Sequence, residues 1–355
     1  MNIDTPVLDP ESIDRLLELE MEAARTAADA FYATGAEAYP GESGPAACSS
    51  DFALMLELLR AVLQFGALQP LVDGLKWLAG VHQARGVQPA QLRSAMEQLA
   101  PFFSARLPQA DAAAVLAALR KALARAEQTE TSEVPAWAVA ADAWPESSQF
   151  EDAILAGDRT AARKLLTECV ARSSLVEAEQ RLIQPALYRI GLRWQRNQVS
   201  VAQEHLASAI VQSMMSEALL KVRLPASNGH RALLACVDGN HHAIGLQMVA
   251  DSLQLAGWTV QNLGPNVPTP AILAQVARHS PDLLGLSLSF PQQLVHVRDL
   301  MKRLSAGPRP RVIVGGLAVR QLERLVSASV ADGFCTDAAH AVEVAESLLG
   351  RPAAA

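Results

Sequence analysis

The last third of the chain repeats one pattern five times. Short apolar runs at 231–237, 259–263, 283–288, 312–314 and 333–335 alternate with helical patterns at 242–256, 270–278, 292–305, 318–327 and 338–349. That alternation specifies a doubly wound five-stranded parallel sheet, because parallel neighbours need a crossover that a helix supplies. Sheets of this kind take ligands outside the carboxyl ends of their strands, near the point where strand order reverses. The loops that follow the strands are therefore where functional side chains are expected.

The remaining two thirds read as helix. Apolar residues at helical spacing begin at Ile13, Leu16, Leu17 and Met21. Residues 39–50, rich in Gly and Pro, read as a loop, with Ser50 or Asp51 capping the helix that follows. Further helices are expected at 70–81, 89–105 and 110–126. Residues 129–148, with two prolines and two tryptophans, read as an ordered linker. Four helices follow at 150–156, 158–171, 174–196 and 200–222. The domains drawn from this are 1–128, a linker at 129–148, a helical cap at 149–226 and the sheet domain at 227–355.

Composition narrows the function classes. The 355 residues carry a net charge of −7, which offers no general attraction to DNA or acidic membranes. No apolar stretch reaches the ~18 residues of a membrane helix, and the N-terminus has no basic segment of a signal peptide. A soluble, cytoplasmic protein is expected. Cys48, Cys169, Cys236 and Cys335 lie too far apart for a disulfide framework or a CxxC zinc motif. No nucleophile–base pair or Walker loop stands out, and Gly315–Gly316 is too short for a phosphate fingerprint. The chain is not expected to be an enzyme.

Three constellations remain. After the first strand the chain reads VDGNHHAIG, placing His242 in the loop and Gly245 three residues on. A loop imidazole can ligate a metal or be a bystander. Within the second helical block, Trp194 precedes Glu204 and His205 in WQRNQVSVAQEH, which is also compatible with a simple amphipathic hairpin. In the first block, Leu71, Leu75, Leu78 and His82 share one helical face, and a histidine ending such a stripe is by default a packed core residue.

The stretch from about 229 to 349 resembles the cobalamin-binding Rossmann-like domain of methionine synthase, corrinoid methyltransfer proteins and cobalamin photoreceptors. The family motif, acid-x-His-x-x-Gly, reads here Asn240, His241, His242, Ala243, Ile244, Gly245. The resemblance implies His242 as the lower cobalt ligand, displacing the dimethylbenzimidazole tail into a slot beside the sheet. Gly264 after the second strand, Ser287 and Ser289 at the third, and Gly315 and Gly316 at the fourth match positions that hold or clear the tail. Asn240 departs from the family's acid. An amide can accept the second N–H of His242 but adds no negative charge, so a weaker push on cobalt is expected, with Asp238 as a less well-spaced alternative partner.

The W-x9-EH pattern ahead of that domain is similar to the cap of adenosylcobalamin photoreceptors. It implies that Trp194 packs on the upper adenosyl ligand, that Glu204 hydrogen-bonds it and that His205 lies nearby. Gln195 replaces the histidine that in some relatives binds cobalt after photolysis. Residues 75–99 look like the proximal region of a globin, with His82 at the ligand position. The combination resembles photocobilins, implying non-covalent biliverdin in 1–128, or heme in its place, with Cys48 a bystander thiol. The expected function is a light sensor that signals through domain packing, a light-dependent homo-oligomer or a downstream protein partner, without direct nucleic-acid or membrane binding. A heme globin sensor and a corrinoid methyl carrier are the alternatives.

Overall fold

Five parallel strands stand in the order β2-β1-β3-β4-β5, with β1 at Arg231–Cys236, β2 at Thr259–Asn262, β3 at Leu283–Ser287, β4 at Arg311–Gly315 and β5 at Gly333–Phe334. The computed structural model describes residues 5–35, 44–128, 142–305, 307–322 and 330–350. It comprises two compact units, Met1–Pro135 with Leu192–Val199, and Ala136–Gly191 with Ser200–Ala355.

The sheet lies in the second unit. Its central strands are buried along nearly their whole length, as strands covered on both faces must be. The helices between them are α12 (Ile244–Leu255), α13 (Thr269–His279), α14 (Leu294–Leu304), α15 (Leu317–Leu322) and α16 (Ala338–Leu349). Residues 323–327 of the helix expected after β4 lie outside the described residues. Strand order reverses between β1 and β3, which are paired from Ala232↔Leu283 to Cys236↔Ser287. This places the switch point beside the loop that carries His242.

The same unit holds α7 (Glu146–Leu155), α8 (Arg159–Arg172), α9 (Leu175–Ala178), a π-helical turn at Glu179–Ile183, α10 (Gln184–Gln195) and α11 (Val201–Lys221), the end of α10 excepted. One continuous helix was expected over 174–196. Pro185 explains the interruption, since its ring clashes with the carbonyl four residues back and it donates no hydrogen bond; the wider π turn accommodates both effects. The linker ends sooner than expected, because Glu146–Ser148 is already helical. Trp144 is held between the guanidinium groups of Arg172 and Arg181, 4.9 and 5.4 Å from its ring centre. Trp137 lies outside the described residues.

The first unit contains α1 (Pro10–Ala33), α2 (Gly44–Phe65), α3 (Gln69–Gln83), α4 (Pro89–Glu97), α5 (Leu99–Arg106) and α6 (Gln109–Gln128), around a core that includes Phe31, Phe52, Leu63, Leu75 and Val115. The loop expected up to Ser50 gives way to helix at Gly44, where Pro45 suits a first helical turn. Ser50 and Asp51 are therefore interior to α2 rather than caps. The helix expected over 89–105 is split at Gln98, because Pro101 cannot accommodate the carbonyl of Glu97. Cys48 sits in α2, and burial pushes its thiol up to about 12, so it remains a protonated, unreactive core residue.

Gly316 fixes the close approach of the β3 and β4 ends. Its φ is +99°, and a Cβ there would collide with the Leu288 carbonyl. Gly316→Ala is expected to lower stability by about 2–4 kcal/mol, combining backbone strain with overpacking, measured as the chemical-denaturation midpoint of the protein without cofactor.

Candidate functional site

The loops at the carboxyl end of the sheet are tied together by backbone and side-chain amides. Cys236 N donates to Gly264 O at 3.0 Å, Asn266 N to Asn240 O at 2.9 Å, and Leu288 N to Gly315 O at 2.9 Å. Gly239 N donates to Asn266 Oδ1 at 2.8 Å, with Asn266 in the left-handed region at φ +52°.

Asn240 sits at the centre of this arrangement, fully buried. Its Nδ2 donates to Ser287 O at 2.8 Å and approaches Ser287 Oγ at 3.4 Å. Its Oδ1 accepts from His242 N at 3.1 Å and from the Ser289 hydroxyl at 2.9 Å. The carbonyl of Ser287 can only accept, which sets the amide's orientation. Asn240 was expected to take the second imidazole N–H of His242. Instead it holds that residue's backbone, and its oxygen is committed to two other donors. Ser289, expected to hold a cofactor tail, spends its hydroxyl proton on Asn240.

His242 is open to solvent but lies in a recess at the sheet end. Desolvation there lowers its pKa below the usual imidazole value; the Glu204 carboxylate opposes that shift and the His241 imidazole adds to it. The imidazole is thus kept neutral, the form in which a ring nitrogen can ligate a metal. Phe290 stands edge-on to it, ring centres 5.7 Å apart, and Cys236 Sγ donates to the His242 carbonyl at 3.7 Å.

The glycines divide into two kinds. Gly315 and Gly316 were expected to provide a side-chain-free wall for the tail. They are required by the protein itself, since a Cβ at 315 would lie 2.7 Å from Cys335 Sγ and one at 316 would strike Leu288. A Cβ at Gly245, in the first turn of α12, or at Gly264 would meet nothing within 4 Å. Nothing among the described residues demands the missing side chain at 245, and the space beside it is free for a ligand.

Of the other residues expected to touch a cofactor, Glu204 and His205 share the second unit with His242, whereas Trp194 and His82 belong to the first. Glu204 is held at both oxygens, by the Ser208 hydroxyl at 2.7 Å and by His205 Nδ1 at 2.6 Å. A capping box of Ser200 and Gln203 starts its helix at Val201. Trp194 stacks on Trp77, ring centres 6.3 Å apart and planes at 29°. The Arg85 guanidinium lies 5.4 Å from its ring centre and donates to the carbonyls of Gln195 and Trp194 at 3.4 and 3.5 Å. That seat on α3 was not foreseen. His82 is buried, with Nε2 3.2 Å from Asp51 Oδ2 and its ring 5.2 Å from Phe31, so it behaves as a hydrogen-bonded core histidine. A cavity of about 10 Å³ in this unit, lined by Leu16, Glu20, Leu56, Leu59, Arg60 and Phe103, has room for about one water molecule.

Asn266, Phe290 and Gln293 were missed by sequence reasoning. Gln293 Oε1 accepts from Ser289 N at 2.9 Å and Phe290 N at 3.1 Å, shaping the loop after β3. The only sequence signal for the first of these was an Asn in a Gly-Pro-Asn turn.

A cobalamin suits these residues on two counts. The His242 imidazole is held in the neutral form that can ligate a metal. Free space also lies beside Gly245, three residues from that imidazole.

Comparison with known proteins agrees. A B12 binding domain model matches residues 230–346, and a second B12 binding domain model matches 147–218. The chain is 36% identical over 140 residues to the HTH-type transcriptional repressor CarA of Myxococcus xanthus, covering 39% of this chain and 46% of that one. It is 30% identical over 195 residues to CarH, a repressor of the same type and organism, covering 53% and 64%. Dimethylamine corrinoid protein 2 of Methanosarcina acetivorans is 28% identical over 189 residues, 49% of this chain and 87% of that protein. The solved monomethylamine corrinoid protein of Methanosarcina barkeri aligns with a TM-score of 0.46 at 20% identity, covering 56% and 96%. Residues 147–218 and 230–346 thus match B12 binding domain models, and the chain, similar in sequence to these repressors and corrinoid proteins, covers 46% and 64% of the length of the two repressors. The expected absence of a nucleic-acid partner finds no support among relatives named as HTH-type repressors. Among the described residues no helix is long and apolar enough to cross a membrane.

Gly245→Ala separates ligand space from stability. Alanine in a helical turn should leave the cofactor-free protein equally stable or up to ~1 kcal/mol more stable. The same change should weaken cobalamin retention, read by equilibrium dialysis.

Proposed function

We propose that the chain is a light-responsive cobalamin sensor that holds adenosylcobalamin between His242 and the α11 face carrying Glu204. The observation that carries this reading is the pairing of a neutral, metal-competent imidazole at the switch point with a carboxylate fixed at both oxygens that acts on it electrostatically. Adenosylcobalamin, when bound, supplies a cobalt–carbon bond that light breaks. The residues of this chain do the rest. His242 would hold the metal from the sheet side. Asn240 and Ser289 keep its loop in place before any cofactor arrives. Glu204, pinned by Ser208 and His205, would offer a fixed acceptor to the hydroxyls of an upper ligand. Loss of that ligand would remove contacts made in only one state, and such a difference is what shifts a conformational equilibrium. Output would pass through cap packing, self-association or a partner, and DNA is among the partners that the repressor relatives suggest. No turnover is assigned to the chain.

One alternative has an observation behind it. The corrinoid relatives, one of them aligned over 87% of its length, favour a methyl carrier. For the first unit, biliverdin, with heme as its substitute, rests on the globin resemblance of 75–99. Both family models begin beyond it, and a tetrapyrrole taking His82 would have to displace Asp51 from that ring.

Full-length protein loaded with adenosylcobalamin should change spectrum and elution volume on illumination, and His242→Ala should retain less corrinoid. Failure to retain corrinoid, or an elution and proteolysis pattern indifferent to light, would overturn the sensor reading. Titration with biliverdin or heme in the same protein reads the first unit separately, through red or Soret absorption. Glu204→Ala should reduce the preference for adenosyl- over methylcobalamin by about tenfold, the size expected for one hydrogen bond to a charged group. A methyl carrier would show no such preference to lose.

A further inference from the structure

The cap bears on the sheet domain through a contact remote from His242. Glu179, the first residue of the π turn, is completely buried, and so is Asp251 on α12. The two side chains meet. Both oxygens of Glu179 and Oδ2 of Asp251 are buried without a hydrogen-bond donor, and Oδ1 of Asp251 accepts from Gln247 Nε2 at 2.5 Å. Two ionised carboxylates cannot occupy such a position, because each would be desolvated and would repel the other. A single proton placed between them removes one charge and supplies the missing donor.

We propose that Glu179 and Asp251 share one proton and so form a latch that fastens the cap to the cobalamin domain, and that loss of this proton releases it. The inference goes beyond the sensor reading and does not depend on it, since both carboxyls belong to the cofactor-free protein. Several other ionisable groups on the packed elements are engaged elsewhere. Glu151 of α7 pairs with Arg189 of α10, Glu146 of α7 with Arg172 of α8, and Arg181, in the same π turn, lies over Trp144 and donates to Asp142 O. Cys169 of α8 is a buried thiol whose pKa is raised. Among the described residues Asp251 is the one charged neighbour that acts on Glu179.

The latch also has a path to the ligand end of the sheet. Gln247 Oε1 accepts from Asn262 Nδ2 at 3.1 Å, and Asn262 Oδ1 accepts from Gly264 N at 3.0 Å. A chain of side-chain amides therefore runs from the turn at Gly264, through α12, to the carboxyl pair under the cap. Burial and mutual repulsion raise the Glu179 pKa far above the ordinary carboxyl range, and burial raises that of Asp251. The folded state thus keeps a proton that an unfolded chain would release, so the joint is strongest at low pH and weakens as pH rises.

The test is hydrogen exchange of the amides at 175–183 in the full-length, cofactor-free protein between pH 6 and 10, corrected for intrinsic rates, with α1 as reference. Wild type should show the opening equilibrium rising about tenfold per pH unit above a midpoint on the alkaline side, the slope of a one-proton release. Glu179→Gln, which donates a hydrogen bond at every pH, should remain protected throughout. Protection that is flat with pH in wild type, or a midpoint unchanged in Glu179→Gln, overturns the proposal. Should the variant fail to fold, isotope-edited infrared spectra of wild type labelled at Glu and Asp carboxyls decide. A protonated carboxyl band at pH 8 that disappears over the range where protection is lost supports the latch, and the absence of such a band overturns it.

Discussion

The donation from the Asn240 amide to the carbonyl of Ser287 is the joint on which the ligand end of the sheet depends. β1 and β3 are neighbours up to Cys236 and Ser287, and beyond them the chain must leave in opposite directions. Ser287 O receives Val237 N at 3.3 Å and Asn240 Nδ2 at 2.8 Å, so the β1 loop is held against β3 past the end of the ladder. The oxygen of the same amide fixes the backbone of His242 and the hydroxyl of Ser289. Removing it would take one of two donors from Ser287 O and leave His242 N and the Ser289 hydroxyl without their acceptor, each unsatisfied group costing about 1–3 kcal/mol where buried. A carboxylate could not replace it without losing the donor that Ser287 requires. The departure from the acid of the family motif is therefore less a weakened ligand partner than a different component, one that arranges the loop in the absence of cofactor.

The sheet was legible because its signal is local and repeated. Each strand is a short apolar run, each crossover an amphipathic helix, and the last helix falls at 338–349 in both readings. His242 was legible because its type and loop position are uncommon together. What escaped notice is tertiary. Asn266 and Gln293 act on residues 27 and four positions away through backbone amides that no periodicity encodes. Asp51 looked like a cap because a polar residue preceded an apolar run, yet its carboxylate serves His82 across the core. Pro101 and Pro185 were visible, but an otherwise regular helical pattern masked them, and only the clash with the carbonyl four residues back shows why one helix splits and the other widens.

The two histidines that sequence reading placed at metal positions show how environment separates equal residue types. His82 is enclosed by Phe31 and answered by a carboxylate, so its ring is part of a packed core. His242 has an aromatic edge on one side and solvent on another, with its backbone rather than its ring tied down. A ring that is positioned through its main chain keeps its nitrogens available. The same contrast separates the glycines. At 316 the protein's own backbone excludes a side chain, whereas at 245 nothing among the described residues does, which makes 245 the more informative about a ligand.

Charge is distributed to suit such a ligand. Close to His242 the groups that shape the loop are neutral amides and hydroxyls, and they hold it without competing for its ring. The carboxylate that acts on that ring, Glu204, is itself held at both oxygens by His205 and Ser208. The acids that cannot be satisfied in this way, Glu179 and Asp251, lie in the cap-to-α12 contact, where their mutual repulsion bears on how firmly the cap is held. A change at the ligand end can therefore reach the cap by two routes, through contacts on α11 and through the amide chain ending at Asp251. A cap closed by direct contact alone would respond to occupancy; one that also rests on a proton responds to its surroundings before any ligand is bound.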